Sequence, residues 1–227
     1  MDKNRYFETP KLQIALDLIN LKTALKIALN VTKSVDIFEA GTPLIKAEGI
    51  KAVTELKKRL PDKMVLADMK TLDVGWVEVT LASEAGADIV SVSGLAPNEV
   101  IQESVKAARE KNAILKADLL GVKEPLKRAI ELKDLGVDMI CVHTAIDQEK
   151  TGVKFEEKLD LVRSIVERTG LIVSAAGGLN LNNVGSMIKA GAKVIVVGRA
   201  ITTCQEPGRM ASLFKEEINK NIRRIER

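Results

Sequence analysis

Short apolar runs rich in β-branched residues alternate with amphipathic stretches along almost the whole chain. Eight such runs end in glycine or a polar residue, at 12–18, 35–42, 64–70, 87–94, 113–121, 137–144, 171–178 and 192–199, and each reads as a strand. Between and after them, apolar positions recur at helical spacing over 22–31, 50–60, 74–85, 99–111, 125–135, 155–168, 181–190 and 207–225. The strand starts recur at roughly 25-residue intervals, room for a strand, a helix and two loops. The joints repeat as well. Ala85-Gly86-Ala87-Asp88-Ile89, Leu135-Gly136-Val137-Asp138-Met139 and Ala190-Gly191-Ala192-Lys193-Val194 each set a glycine where a helix stops and a strand begins.

The strand runs are apolar nearly throughout, as parallel strands covered on both faces must be. Eight units of this kind predict an α/β fold, a closed (β/α)8 TIM barrel that occupies 1–227 as a single domain with a C-terminal helix. An open doubly wound sheet is the alternative, but no G-x-G-x-x-G follows the first strand to support it.

In such a barrel the strand ends surround one shared mouth, so candidate chemistry is sought there. Strand one ends in Asp17, strand two in Glu39, strand three in Asp68 and Lys70, strand five in Asp118 and strand six in His143. Asp68, Lys70 and Asp73 form the spacing D-x-K-x-x-D. Strand alternation puts Asp68 and Lys70 on one face, with Leu66 behind them on the same stripe. Placing charges in an interior costs desolvation, and the usual return is chemistry rather than stability. Singly, these residues have structural readings: Asp17 as a helix N-cap, Glu39 as a loop acid, His143 as a satisfied core histidine. Their recurrence at equivalent strand ends favours a site.

Strands seven and eight end differently, in Ala175-Ala176-Gly177-Gly178 and Gly198-Arg199. Taken alone, the glycines fit ordinary turn chemistry. At this end of a barrel they also allow close backbone approach, their N–H groups can cradle an anion, and Arg199 adds a planar donor, which points to a phosphorylated substrate. Glu39 and Asp68 on neighbouring strands offer hard oxygen ligands that suit Mg²⁺. His143 is the only histidine, which excludes the multi-histidine metal barrels, and a Ser-His-Asp hydrolase has no G-x-S-x-G elbow.

Composition narrows the rest. No run approaches a membrane span and 1–10 lacks the apolar centre of a signal peptide, so a soluble cytoplasmic protein is expected. Cys141 and Cys204 are the only cysteines and lack C-x-x-C spacing, which leaves neither a disulfide framework nor a thiolate zinc site. The net charge of +4 and pI near 9.0 invite a nucleic-acid reading, but the basic residues are spread along the chain. Aromatics are 3% of it, too few for stacking platforms, so no nucleic-acid partner is expected. A non-catalytic phosphate-ligand sensor is the remaining alternative from another class, and the charged mouth argues against it.

With these residues in place, the chain resembles the orotidine-monophosphate decarboxylase superfamily, and within it the 3-hexulose-6-phosphate synthase branch. LQIALDL, DIFEAGTPLIKAEG, LADMKTLDVG, ADIVSVSG, ADLLGV, VHTAID, AAGGL and VIVVGRAI appear in the family's order over nearly the full length. Nucleotide decarboxylases of the superfamily carry a lysine where this chain has Glu39, so the glutamate points to the Mg²⁺-dependent sugar-phosphate branch. Keto-gulonate-phosphate decarboxylases usually have Glu, Arg and Thr where this chain has Asp118, Ile146 and Ala176, so those positions look like the synthase. Ribulose-phosphate epimerases need further histidines that are missing.

The resemblance implies reversible aldol addition of formaldehyde to ribulose 5-phosphate through an enediolate. It implies Mg²⁺ on Glu39 and Asp68, His143 as general base at C1 and Lys70 as hydrogen-bond donor to the enediolate. Asp118 and Asp17 would orient hydroxyls, and Ala176, Gly177, Gly178, Gly198 and Arg199 would anchor the phosphate. It also implies a homodimer in which Asp73 reaches the neighbouring site; an apolar loop set around Pro43, Leu44, Val74 and Trp76 is consistent with that interface, and core packing explains those residues equally well. Segment 147–154 is expected to close over the sugar. Residues do not set the direction of an aldol equilibrium.

Overall fold

The computed structural model describes residues 3–144 and 155–225, so the expected closing segment 147–154 and Ile146 lie outside the described residues. A short helix, α1 (Lys3–Tyr6), leads into β1 (Lys11–Leu16), α2 (Leu21–Val31), β2 (Ile37–Ala40), α3 (Thr42–Glu48), α4 (Lys51–Arg59) and β3 (Met64–Thr71). The alternation continues through α5 (Gly75–Glu84), β4 (Ile89–Ser93), α6 (Asn98–Glu110), β5 (Ile114–Asp118), α7 (Pro125–Leu135) and β6 (Met139–His143). It ends with α8 (Phe155–Thr169), β7 (Ile172–Ala176), α9 (Val184–Lys189), β8 (Val194–Val197), α10 (Arg199–Thr202) and α11 (Pro207–Ile225). The strands pair in parallel and in chain order, and β8 returns to β1, which closes the barrel and rules out the open sheet.

One helix is predicted between the second and third strands, and two form. A turn at Gly49 and Ile50 separates α3 from α4. Leu44 therefore sits on α3 as a fully buried core residue, which decides for core packing over an interface loop at that position; Pro43, Val74 and Trp76 are exposed. The amphipathic helices bury Ala28, Leu56, Ile101, Leu132, Val162 and Ile218 against the outer faces of the strands. Each fully buried aliphatic side chain contributes about 1.5–3 kcal/mol, and this shell offsets the cost of a charged barrel interior.

That interior is divided. At the strand starts, Ile37, Met64, Ile89, Ile114, Met139 and Val194 pack together, and Phe7 plugs them from below. Further along the strands the inward positions become Gln13, Glu39, Asp68, Ser91, Lys116, Asp118 and Ser174, all buried. Aspartates placed just before three of the strands hold the lower end. Asp36, Asp88 and Asp138 precede β2, β4 and β6, and each carboxylate accepts the backbone N–H near the start of the preceding strand, from Leu12 at 2.8 Å, Val65 at 2.8 Å and Leu115 at 2.9 Å. Lys215 and Lys57 cover the first two of these carboxylates at 2.6 and 2.9 Å. No helix among the described residues is long and apolar enough to cross a membrane.

Candidate active site

The upper interior is built around Asp68. Its Oδ1 accepts the Ser91 hydroxyl at 2.8 Å, and its Oδ2 is met by the Lys70 ammonium and, at 2.8 Å, by Thr42 Oγ1. Lys70 also lies 3.6 Å from Asp118 Oδ2, whose other partner is His143 Nδ1 at 2.8 Å. The second Asp118 oxygen accepts the Leu120 N–H at 2.9 Å. Acid, ammonium, acid and imidazole thus form one continuous chain across β3, β5 and β6.

Simple alternation does not account for Lys70. Ala67 pairs with Val90 but Thr71 pairs with Val92, so β3 carries extra residues there, and Lys70 has φ +47. Such a bulge re-aims side chains at a barrel rim. The Lys70 N–H is secured by Ser91 Oγ at 2.9 Å, so one serine holds both the acid and the displaced backbone.

Electrostatics fix the protonation states. Burial works to raise the Asp68 pKa, but Lys70 and Lys116 outweigh it and hold the carboxyl well below its usual range. Burial would likewise neutralise Lys70, yet Asp68, Asp118 and Glu39 prevail and keep it charged. Asp118 is also desolvated, but the hydrogen bond and charge of His143 bring its pKa down. Glu39 behaves differently. Its pKa is pushed up to about 8 by burial, against the pull of Lys116 and with added repulsion from Asp68 and Asp17. Asp17 is reachable by water but hemmed in at the mouth, and desolvation followed by the Asp68 charge raises its pKa. It lies so close to the β2 end that a methyl on Gly41 would fall 2.1 Å from its Oδ1.

Asp17 just beyond β1, Glu39 on β2 and Asp68 on β3 bring hard oxygen donors together, and the buried pair Glu39 and Asp68 could hold a divalent cation. A different cluster has closer ligand atoms: Asp118, Cys141 and His143 lie within 4.8 Å of one another. It suits a metal less well. His143 Nδ1 is already bonded to Asp118, and Cys141 offers a soft sulfur where a hard divalent cation takes oxygen.

Ala176 ends β7 and is followed by Gly177 and Gly178 at φ +89 and +67. Gly177 is pressed against β6: a side chain there would meet the Thr144 carbonyl at 2.1 Å, so glycine is required for both space and conformation. Gly198 caps α10, and Arg199 begins that helix exposed. Asp73 stands apart. It is exposed, accepts the Val74 N–H at 2.7 Å, and has no hydrogen bond or ion pair to the mouth among the described residues.

Four supporting residues escape the sequence reading. Lys116 is fully buried on β5, where the carboxyl groups of Glu39, Asp68 and Asp118 keep it charged against desolvation. Gln13 on β1 donates to Glu39 Oε2, while its own Oε1 has no hydrogen-bond partner among the described residues. Strand parity contained this signal, since Lys116 lies two residues before Asp118 and Gln13 four before Asp17. Thr42 and Ser91 carried none, because small hydroxyls recur throughout a chain with many structural uses.

Residues 10–214 match the family described as Orotidine 5'-phosphate decarboxylase / HUMPS family. The chain is 39% identical over 209 residues to a 3-hexulose-6-phosphate synthase of Mycobacterium gastri, which covers 92% of this chain and 99% of that protein. A solved 3-hexulose-6-phosphate synthase superposes with a TM-score of 0.87 at 39% identity, over 91% of this chain and 99% of that one. KGPDC from Streptococcus mutans, solved in complex with D-R5P, superposes with a TM-score of 0.88 at 30% identity, over 93% and 98%.

Proposed function

The chain belongs to the Orotidine 5'-phosphate decarboxylase / HUMPS family, and from that premise we propose that it catalyses reversible aldol addition of formaldehyde to ribulose 5-phosphate, giving 3-hexulose 6-phosphate. The observation that carries the reading is the His143–Asp118–Lys70–Asp68 chain, beside a glutamate at position 39. An ionised Asp118 against Nδ1 holds the imidazole proton on that nitrogen and leaves Nε2 as the base.

In this mechanism His143 Nε2 removes a proton from C1 of ribulose 5-phosphate, and the electron pair becomes an enediolate across C1 and C2. Lys70, locked in its charged form, donates a hydrogen bond to the developing oxyanion. C1 then attacks the formaldehyde carbon, and the resulting alkoxide takes the proton back from His143. Mg²⁺ held by Glu39 and Asp68 would supply Lewis-acid stabilisation of the enediolate charge. Asp17 and Asp118 orient substrate hydroxyls, while the glycine loop and Arg199 hold the phosphate. Formaldehyde is too small to be gripped, so phosphate binding supplies the orientation.

The working unit in this reading is a homodimer with shared sites. Leu72, Val74, Trp76 and Val77 are exposed apolar side chains flanking Asp73, an arrangement that supports burial of this loop against a second copy and delivery of Asp73 to its site. The test is incubation with ribulose 5-phosphate and formaldehyde, with and without a chelator. Formaldehyde-dependent, chelator-sensitive loss of the pentose phosphate is expected. Carbon dioxide released from a hexulosonate phosphate would instead assign the related decarboxylase chemistry.

A further inference from the structure

Lys158 lies on α8, outside the barrel, yet its side chain is buried. Its ammonium donates to the carbonyl oxygen of Ala176 and, at 2.7 Å, to that of Gly177. Burying a long cationic side chain costs rotamer freedom and desolvation, and these charge-assisted hydrogen bonds offset part of that cost. Both carbonyls belong to the loop where the phosphate is expected.

We infer that Lys158 is a positioning residue for the substrate phosphate: its buried ammonium fixes the β7 glycine loop with an amide turned toward the β8 loop. The inference rests on the sugar-phosphate reading above and extends it to a residue on the outer helix layer. The geometry follows from peptide planarity. In a trans peptide C=O and N–H are antiparallel, and there is no cis bond among the described residues. The Ala176 carbonyl faces β6, where the Thr144 N–H also reaches it at 3.1 Å. The Gly177 N–H of the same peptide plane therefore faces β8, whose end carries Gly198 and Arg199.

Two successive left-handed glycines would otherwise be among the most adaptable points of the chain. Holding both of their flanking carbonyls from behind removes that freedom before substrate arrives, so less affinity is lost to ordering the loop on binding.

The test uses the full-length protein with Lys158→Met, which keeps the apolar stem, and Lys158→Arg, which keeps the charge. For Lys158→Met, KM for ribulose 5-phosphate and the calorimetric Kd for inorganic phosphate should rise together by about tenfold, the scale of one or two lost charge-assisted hydrogen bonds, with kcat within about twofold. Lys158→Arg should restore most of the phosphate affinity. A folded Lys158→Met protein with unchanged phosphate Kd, or one that loses kcat alone, would overturn the proposal. In the unsubstituted protein, inorganic phosphate should shift the Gly177 amide resonance, and a resonance that does not move also overturns it. Phosphate binding is read without turnover, so failure of the aldol reading would be visible separately as absent formaldehyde-dependent activity.

Discussion

His143 Nδ1 lies 2.8 Å from Asp118 Oδ2, and this contact decides which imidazole nitrogen is left to accept a proton. Asp118→Asn removes the charge that favours this tautomer while keeping the shape. We expect kcat to fall by about a thousandfold with little change in folding, and His143→Ala to abolish exchange of the C1 proton of ribulose 5-phosphate with solvent. Formaldehyde-dependent turnover measures the first and deuterium wash-in without formaldehyde the second, and retained exchange in His143→Ala would place the base elsewhere.

The Glu39 carboxyl, raised from 4.5 to about 8, gives a stability effect of defined sign. A group with a raised folded pKa contributes stability that is present below its unfolded pKa and is lost as pH climbs through the folded value. In chelator, Glu39→Gln should therefore gain thermal stability relative to the parent chain between about pH 5 and pH 8. Added Mg²⁺ should raise the parent's Tm and leave that of Glu39→Gln unmoved. Equal Mg²⁺ responses in the two proteins would remove Glu39 as a ligand.

Cys141 is fully buried and its thiol is pushed up from 9.0 to about 12 by desolvation and the Asp118 charge. It stays neutral at pH 8, and only the half-buried Cys204 should be alkylated in the native protein, with Cys141 labelled after urea unfolding. Mass spectrometry of iodoacetamide-treated samples reads this directly. The same sign rule predicts a loss of stability as pH rises from about 9 towards 12.

At the opposite end of the barrel, Asp88→Ala strips the acceptor from the Val65 N–H and the partner from Lys57. A loss of about 1–2 kcal/mol in urea unfolding is expected, most of it from the orphaned backbone donor because the ion pair is partly exposed. The kinetic constants of the folded fraction should be unchanged, since this carboxylate lies at the strand starts.

The shared-site reading of Asp73 has its own test. Asp73→Ala and His143→Ala proteins, each inactive, should recover activity when unfolded together and refolded. A mixed dimer has one intact site, so recovery should approach about one quarter of the parent value. No recovery from demonstrably mixed dimers would keep Asp73 out of the partner's site.

The repeat of apolar runs and glycine joints was enough to specify eight strand–helix units and one closed barrel, because parallel strands covered on both faces leave that imprint wherever they occur. Strand ends likewise disclosed Asp17, Glu39, Asp68, Lys70, Asp118 and His143 as neighbours, since position along a strand is a local property. What lies across the barrel is not local. The Lys116 charge beneath Glu39, the Gln13 amide against it, the bulge that re-aims Lys70 and the reach of Lys158 from the outer layer to the β7 loop each join residues far apart in the chain. Leu44 shows the same limit from the other side: its hydrophobicity was evident, but only the extra helix α3 decided that it belongs to the core. Periodicity records which face a residue takes within its own element, and only packing sets which other element that face meets.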